Sequence, residues 1–222
     1  MKSQFFILLN KEFSQELKNK DAILSMIIFG LSIILLFSFA FDPTSSSIKN
    51  ILPGLTWITF MFSLIIGVSR NFYREKESFA INLLLTSPVD KGTIFSSKMI
   101  AFLIYLTISQ IILYPLFNLF LGYSVINNWK IWLLSILVNW AISALAILVS
   151  GVGFRSKMGD VLSSLLFFPL STPVLISAVK STTIISKNMK LESYSFWIMI
   201  IFSFAVGATI LGLFLFAYIL EE

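Results

Sequence analysis

Six apolar segments, each about the length of a membrane span, constrain the fold of this chain more than any other feature. None of them contains Asp, Glu, Lys or Arg, and they cover residues 22–41, 51–69, 99–122, 131–150, 161–179 and 196–220. Roughly 20 apolar residues in a helix match the hydrocarbon thickness of a bilayer, and a helix satisfies its own backbone hydrogen bonds there. With 57% hydrophobic and 12% charged residues, the composition is far from that of a soluble domain. The sequence therefore predicts an all-α membrane protein with six transmembrane helices in one domain over residues 1–222.

The segment before the first span has the pattern of an amphipathic helix. Residues 4–20 predict a helix whose apolar stripe faces the lipid, so that it lies flat in the interface before the first span stands upright. A soluble juxtamembrane helix is the alternative. Residues 1–21 lack a signal-peptide pattern, so the first span is expected to stay in the mature protein. The stripe consists of Phe6, Leu9, Phe13 and Leu17.

The distribution of Lys and Arg predicts the orientation. Eleven of the sixteen basic residues lie in the N-terminal segment and in the loops at 70–98 and 151–160, whereas the alternate loops hold five. Because basic loops stay in the cytoplasm, both termini are expected there. The net charge of +5 is then a topology signal, and no nucleic-acid binding is expected.

Several kinds of chemistry are disfavoured by what the chain lacks. It contains no Cys and no His, which excludes disulfides, thiolate metal sites and His ligation of haem. Charge-free spans argue against an ion-coupled transporter, and Gln110, Asn118 and Asn139 are expected to form interhelical hydrogen bonds. The string GVGFRSKM (151–158) lacks the Gly-Lys-Ser/Thr ending of a P-loop, so this chain is not expected to hydrolyse ATP.

The loop between spans two and three combines a dense charge cluster with an apolar half-helix. In REKESFAINLLLTSPVDKG (74–92), a helix from Phe72 to Thr86 would carry charges in its first turns and leucines later, and Pro88 would end it. Such an element suits either a groove in a cytoplasmic partner or the lipid surface.

The fifth span contains two prolines one helical turn apart, in FFPLSTPVLIS (167–177). Pro169 and Pro173 each remove one backbone hydrogen bond, and Ser171 or Thr172 would compensate the freed carbonyls. The pattern predicts either a plain structural kink or a helix break that serves as a gate.

Three strings, in this order and spacing, resemble the CcmB family of haem exporter membrane proteins, which act in cytochrome c maturation and belong with the ABC-2-type permeases. They are LPGLTW with Pro53, Gly54 and Trp57, EKESFAINLLLTSPVDKGTIFSSK after span two, and PLSTP in span five. The resemblance is collinear over nearly the whole chain, and Pro88 to Lys98 is its most specific part. Two positions depart from the family pattern, Phe79 where a Gly is usual and Asn82 where a Glu is usual, so the family's role at that position is not carried over to Asn82.

The resemblance implies a six-span permease with an amphipathic elbow helix, a cytoplasmic coupling helix that contacts a separate ATPase, and broken helices on the external side after span five. Residues that it assigns to the ATPase-coupling loop are Arg74, Glu75, Glu77, Leu84, Pro88, Asp90 and Lys91. It implies a bacterial inner-membrane protein with no catalytic or metal site and no tightly bound cofactor, and haem as the handled species. Implied partners are an ABC ATPase, other maturation membrane proteins and a haem chaperone; self-association stays open. The alternatives are an ABC-2 exporter of lipid, polysaccharide or drug, and a membrane scaffold that transports nothing.

Overall fold

The computed structural model describes residues 2–41, 46–77, 89–124, 128–153, 159–187, 189–190 and 192–221. Within these residues the chain forms seven helices. In chain order they are α1 (Lys2–Asn19), α2 (Asp21–Ala40), α3 (Ser46–Glu77), α4 (Lys91–Leu121), α5 (Trp129–Gly153), α6 (Gly159–Ser186) and α7 (Glu192–Glu221).

Helices α2 to α7 are long and apolar enough to cross a membrane, which confirms the six predicted spans. The candidate spans are Asp21–Ala40, Asn50–Tyr73, Lys91–Leu121, Trp129–Val152, Leu165–Ser186 and Ser193–Phe216. The helices themselves extend beyond several predicted ends. Pro53, which is near the start of the predicted span 51–69, lies well inside α3, because that helix already begins at Ser46.

Helices α3 and α5 lie inside the bundle, and α2 and α7 lie outside. In the apolar part of α3, 72% of the residues are buried, against 22% for α2 and α7. Helix α5 packs against α7, α6, α4 and α3, whereas α2 contacts chiefly α3 and α4. Small residues allow close approach at two crossings: a Cβ on Gly67 would press on Met26, and one on Gly212 would overlap the ring of Phe95.

Helix α1 turns sharply into α2 and packs mainly along α4. The turn is at Lys20, which has the left-handed backbone conformation with φ 55°. The face that α1 buries differs from the predicted apolar stripe: Phe6 is 65% exposed, whereas Leu8, Glu12 and Glu16 are buried. The acidic side of the helix thus faces the protein, because it finds a buried cation there. The face of the bundle formed by α1, the end of α3 and the start of α4 is called the elbow face below.

Candidate coupling region

The two ends of the predicted coupling loop, at the end of α3 and the start of α4, lie at the elbow face. Glu77 is the last residue of α3 and Lys91 the first of α4. Residues 78–88, which include Phe79, Asn82, Leu84 and Pro88, lie outside the described residues. The backbone of Arg74, Glu75 and Glu77 is helical, but the structure does not describe their side chains.

The sequence pattern predicted that a separate helix begins at Phe72, but residues 72–77 do not begin a new helix. They form the last turns of α3, which runs without interruption from Ser46 to Glu77. The charged segment therefore extends span two itself. A continuous helix thus leads from span two to Glu77.

Asp90, assigned to coupling by the resemblance, has a structural role at the start of α4. Its carboxylate accepts a hydrogen bond from the Thr93 backbone N–H at 2.9 Å and one from the Thr93 hydroxyl at 3.2 Å. This is an N-cap, which satisfies one of the amides left without an intrahelical partner. An Asp three residues before a Thr and next to a long apolar run is a sequence signal for such a cap. Lys91 follows as the first helical residue and is half-buried.

A buried ionic cluster lies inside the bundle near both ends of the loop, and the sequence did not predict it. The Nζ atom of Lys98 donates to Glu12 Oε1 at 3.1 Å and to Asn71 Oδ1 at 3.3 Å. The same Glu12 oxygen accepts from Lys11 Nζ at 3.3 Å. Lys98 is fully buried, and Glu12 and Asn71 are each 2% exposed. The Lys98 ammonium also lies 5.3 Å from the ring centre of Phe72.

Such burial is tolerable only when opposite charges meet. A lone ammonium or carboxylate removed from water costs several kcal/mol, and a well-placed partner offsets most of this. Hydropathy places Lys98 in a loop, because a lysine is excluded from an apolar span. The periodicity of the sequence does not indicate a partner for it. Two acidic residues one helical turn apart in α1, and a lysine seven residues into a capped span, were the available signals.

A second acidic residue of α1 joins the elbow to α2. Glu16 Oε1 accepts a hydrogen bond from the Ile23 backbone N–H at 2.8 Å. Lys20, at the N-cap position of α2, makes no capping bond with its side chain. The carboxylate of one helix thus caps the next, which fixes the angle between α1 and α2.

On the opposite face of the bundle, the string LPGLTW connects span two to span five. Trp57 Nε1 donates to Thr182 Oγ1 at 2.8 Å, and both residues are buried. Pro53 is also buried, whereas a Cβ on Gly54 would meet nothing within 4 Å.

The two prolines of span five do not interrupt its helix, since α6 is continuous from Gly159–Ser186. The Ser171 hydroxyl donates to the Phe167 carbonyl at 2.7 Å and that of Thr172 to the Phe168 carbonyl at 2.8 Å. The prolines would free the carbonyls of residues 165 and 169, so the expected compensation by these hydroxyls is wrong. The described residues after α6 also contain no separate broken helix before α7. A gate here would have to open by bending a continuous helix.

Two of the three polar residues that were predicted to form interhelical hydrogen bonds do so with each other. Gln110 and Asn139 exchange reciprocal amide hydrogen bonds at 2.9 and 2.8 Å, and Asn139 also donates to Thr107. Asn118 is exposed instead. Among the described residues, no group of three or more acidic, His or Cys side chains could hold a metal.

Six apolar helices around a buried polar network, with a flat helix at one face, define a polytopic α-helical membrane protein. The chain matches the family described as "CcmB protein" over residues 3–222 and belongs to it. It is similar to "Heme exporter protein B" of Pseudomonas aeruginosa, with 25% identity over 177 residues, 79% of each chain. It is also similar to the proteins of that name from Haemophilus influenzae, 26% identical over 78% of this chain and 79% of the relative, and Paracoccus denitrificans, 26% identical over 67% and 68%.

Proposed function

We propose that this protein is the membrane permease subunit of an ABC transporter in cytochrome c biogenesis, driven by a separate ATPase subunit. The observation that carries the proposal is the match to the CcmB family over residues 3–222. Relatives named "Heme exporter protein B" support haem as the species handled. The excess of Lys and Arg on one side of the chain's loops, eleven against five, supports a multi-pass protein of the bacterial inner membrane with the elbow face in the cytoplasm.

The loop between α3 and α4 is the proposed contact with the ATPase. Arg74, Glu75 and Glu77 continue the helix of span two into this loop, so a partner that moves the loop also tilts α3. The leucines around Leu84 would bury in the partner, and the charges would set the register. Asp90 and Lys91 would act from the other end of the loop, at the start of α4.

Haem handling falls to other components of the system. The chain has no His and no Cys, so the commonest axial ligands must come from a chaperone or another maturation protein. The permease would then supply movement at the outer face, either exporting haem or releasing a haem-loaded chaperone. The prolines of α6 are the proposed outer gate, because a helix that lacks two backbone bonds bends more easily than a complete one.

The test replaces Glu75 and Glu77 by Ala, with Lys18→Met, an exposed change on α1, as the control. The measurements are the amount of ATPase that co-purifies and the yield of cytochrome c per unit of membrane-inserted permease. The double variant should insert normally and lose either the ATPase or its coupling. Wild-type yield with a full complement of ATPase would refute the coupling assignment. Normal maturation with an inactive ATPase would favour a scaffold, and hydrolysis of ATP by the chain alone would refute the permease assignment.

A further inference from the structure

The cluster around Lys98 joins three helices at the base of one loop. Asn71 lies six residues before the end of α3, and Lys98 lies seven residues after the start of α4. At 1.5 Å per residue both side chains are about 10 Å from the loop, so they lie at similar depth. Glu12 of α1 bonds to Lys98, which in turn bonds to Asn71. The loop is therefore tied at both ends to the elbow helix.

The polar contacts continue from the elbow helix to the outer span. One helical turn after Glu12, the Glu16 carboxylate holds the Ile23 amide at the start of α2. Helix α2 is otherwise a peripheral span, with 22% of its apolar window buried. Charge-assisted contacts thus join α4 to α1 through Lys98 and Glu12, and α1 to α2 through Glu16, with one turn of α1 between the two acidic residues.

We propose that Glu12 and Lys98 form a latch that fastens the elbow helix to the two helices that flank the coupling loop, so that movement of the loop reaches α2 through α1 as well as through the direct packing of α2 on α3 and α4. This proposal rests on the proposed function for the source of the movement. Apolar packing alone would hold α1 on α4 without fixing its position along that helix, because dispersion contacts have little directionality. Separating the partners of a fully buried ion pair leaves buried charges uncompensated, which is costly, so α1 follows Lys98 when α4 shifts.

The first arm of the test needs no partner. Both charges are removed in E12Q/K98M, which keeps side chains of similar size, and Lys18→Met serves as the matched control on the same helix. The measurement is hydrogen exchange of the purified chain in nanodiscs. Exchange in α1 and in the first turn of α2 should become faster by on the order of tenfold, while α5 and α7 stay unchanged. Unchanged exchange in α1 would overturn the latch, whatever the chain's function.

The second arm measures transmission in the complex with the ATPase. The chain has no Cys, so cysteines placed at Ser14 on α1 and Ser32 on α2, both exposed, label only those two sites. In the labelled wild type, the distance between the two spin labels should change when nucleotide is trapped in the ATPase. E12Q/K98M should keep the ATPase and its basal hydrolysis, reduce this change, and lower maturation by on the order of tenfold.

The outcomes separate the two proposals. A wild type that recruits no ATPase refutes the proposed function and with it the transmission, while the first arm still decides whether the latch exists. A variant whose nucleotide-dependent distance change is as large as that of the wild type overturns transmission through the latch. A purely structural pair would lower the amount of complex and leave the distance change intact in the complex that remains.

Discussion

Replacing Lys98 alone by Met should destabilise the elbow face of the protein. The variant leaves the Glu12 carboxylate, 2% exposed, without its buried cation. Removing one partner of a buried ion pair typically costs about 3–5 kcal/mol. Lys11 still reaches the same carboxylate oxygen from a position 25% exposed, so we expect the lower part of this range. Loss of the Asn71 bond and of the contact with Phe72 adds to the cost.

The assay is thermal unfolding of the purified protein in one detergent, with E12Q and E12Q/K98M alongside K98M. A loss of about 3 kcal/mol corresponds to a melting temperature lower by roughly 6–12 °C for a chain of this size. The double variant should recover most of this loss, because no uncompensated charge is then buried. A melting temperature of K98M within about 2 °C of wild type would refute the reasoning, as would a double variant less stable than K98M.

Three further predictions concern other parts of the bundle. Changing Pro169 and Pro173 together to Ala should lower cytochrome c yield per unit of membrane-inserted complex, and parallel loss of yield and complex, or no loss of either, would show that the prolines are structural. Asn139→Leu should lower the free energy of unfolding by about 0.6–1.7 kcal/mol, because it leaves Gln110 without its reciprocal partner, and a chevron or SDS-unfolding series that shows no change would contradict this. Asp90→Ala should lower the free energy of unfolding by about 1 kcal/mol through loss of the helix cap. Asp90→Asn should retain most of the wild-type stability, and equal losses for the two variants in unfolding experiments would mean that the carboxylate charge matters more than the cap.

The sequence predicted α4 as a span but placed its start eight residues too late. Hydropathy excludes Lys91 and Lys98 from an apolar window, although the helix includes both. The N-cap at Asp90 sets the true boundary, since capping depends on a hydrogen bond that composition does not measure. The same limit explains the position of Pro53. Hydropathy placed it near the start of span two, whereas α3 begins at Ser46, seven residues before Pro53.

The charge pattern predicted a coupling site in the loop between spans two and three, and this assignment stays a prediction. The structure adds a buried cluster near both ends of that loop. Glu12, Asn71 and Lys98 were missed, because their roles depend on contacts between residues 86 and 27 positions apart. Of the predicted apolar stripe on α1, Phe6 is exposed, whereas Leu9 and Phe13 are half-buried against the core. The sequence pattern did not indicate that the acidic side of α1 would be buried as well, because that burial depends on a neighbouring helix that supplies the opposite charge.

The sequence by itself determined the number of spans, their helical nature and the position of the loop. These follow from local physics, because every backbone group in a bilayer must bond within its own segment, and about 20 apolar residues are needed to cross. Only the tertiary structure decided which side of each helix meets which neighbour: Glu12 against Lys98, Trp57 against Thr182, and Gln110 against Asn139. In spans that are apolar all round, periodicity does not specify the rotation of a helix about its axis. That rotation is set by the few polar groups that must find partners and by the small residues that allow close packing, and both depend on all helices at once.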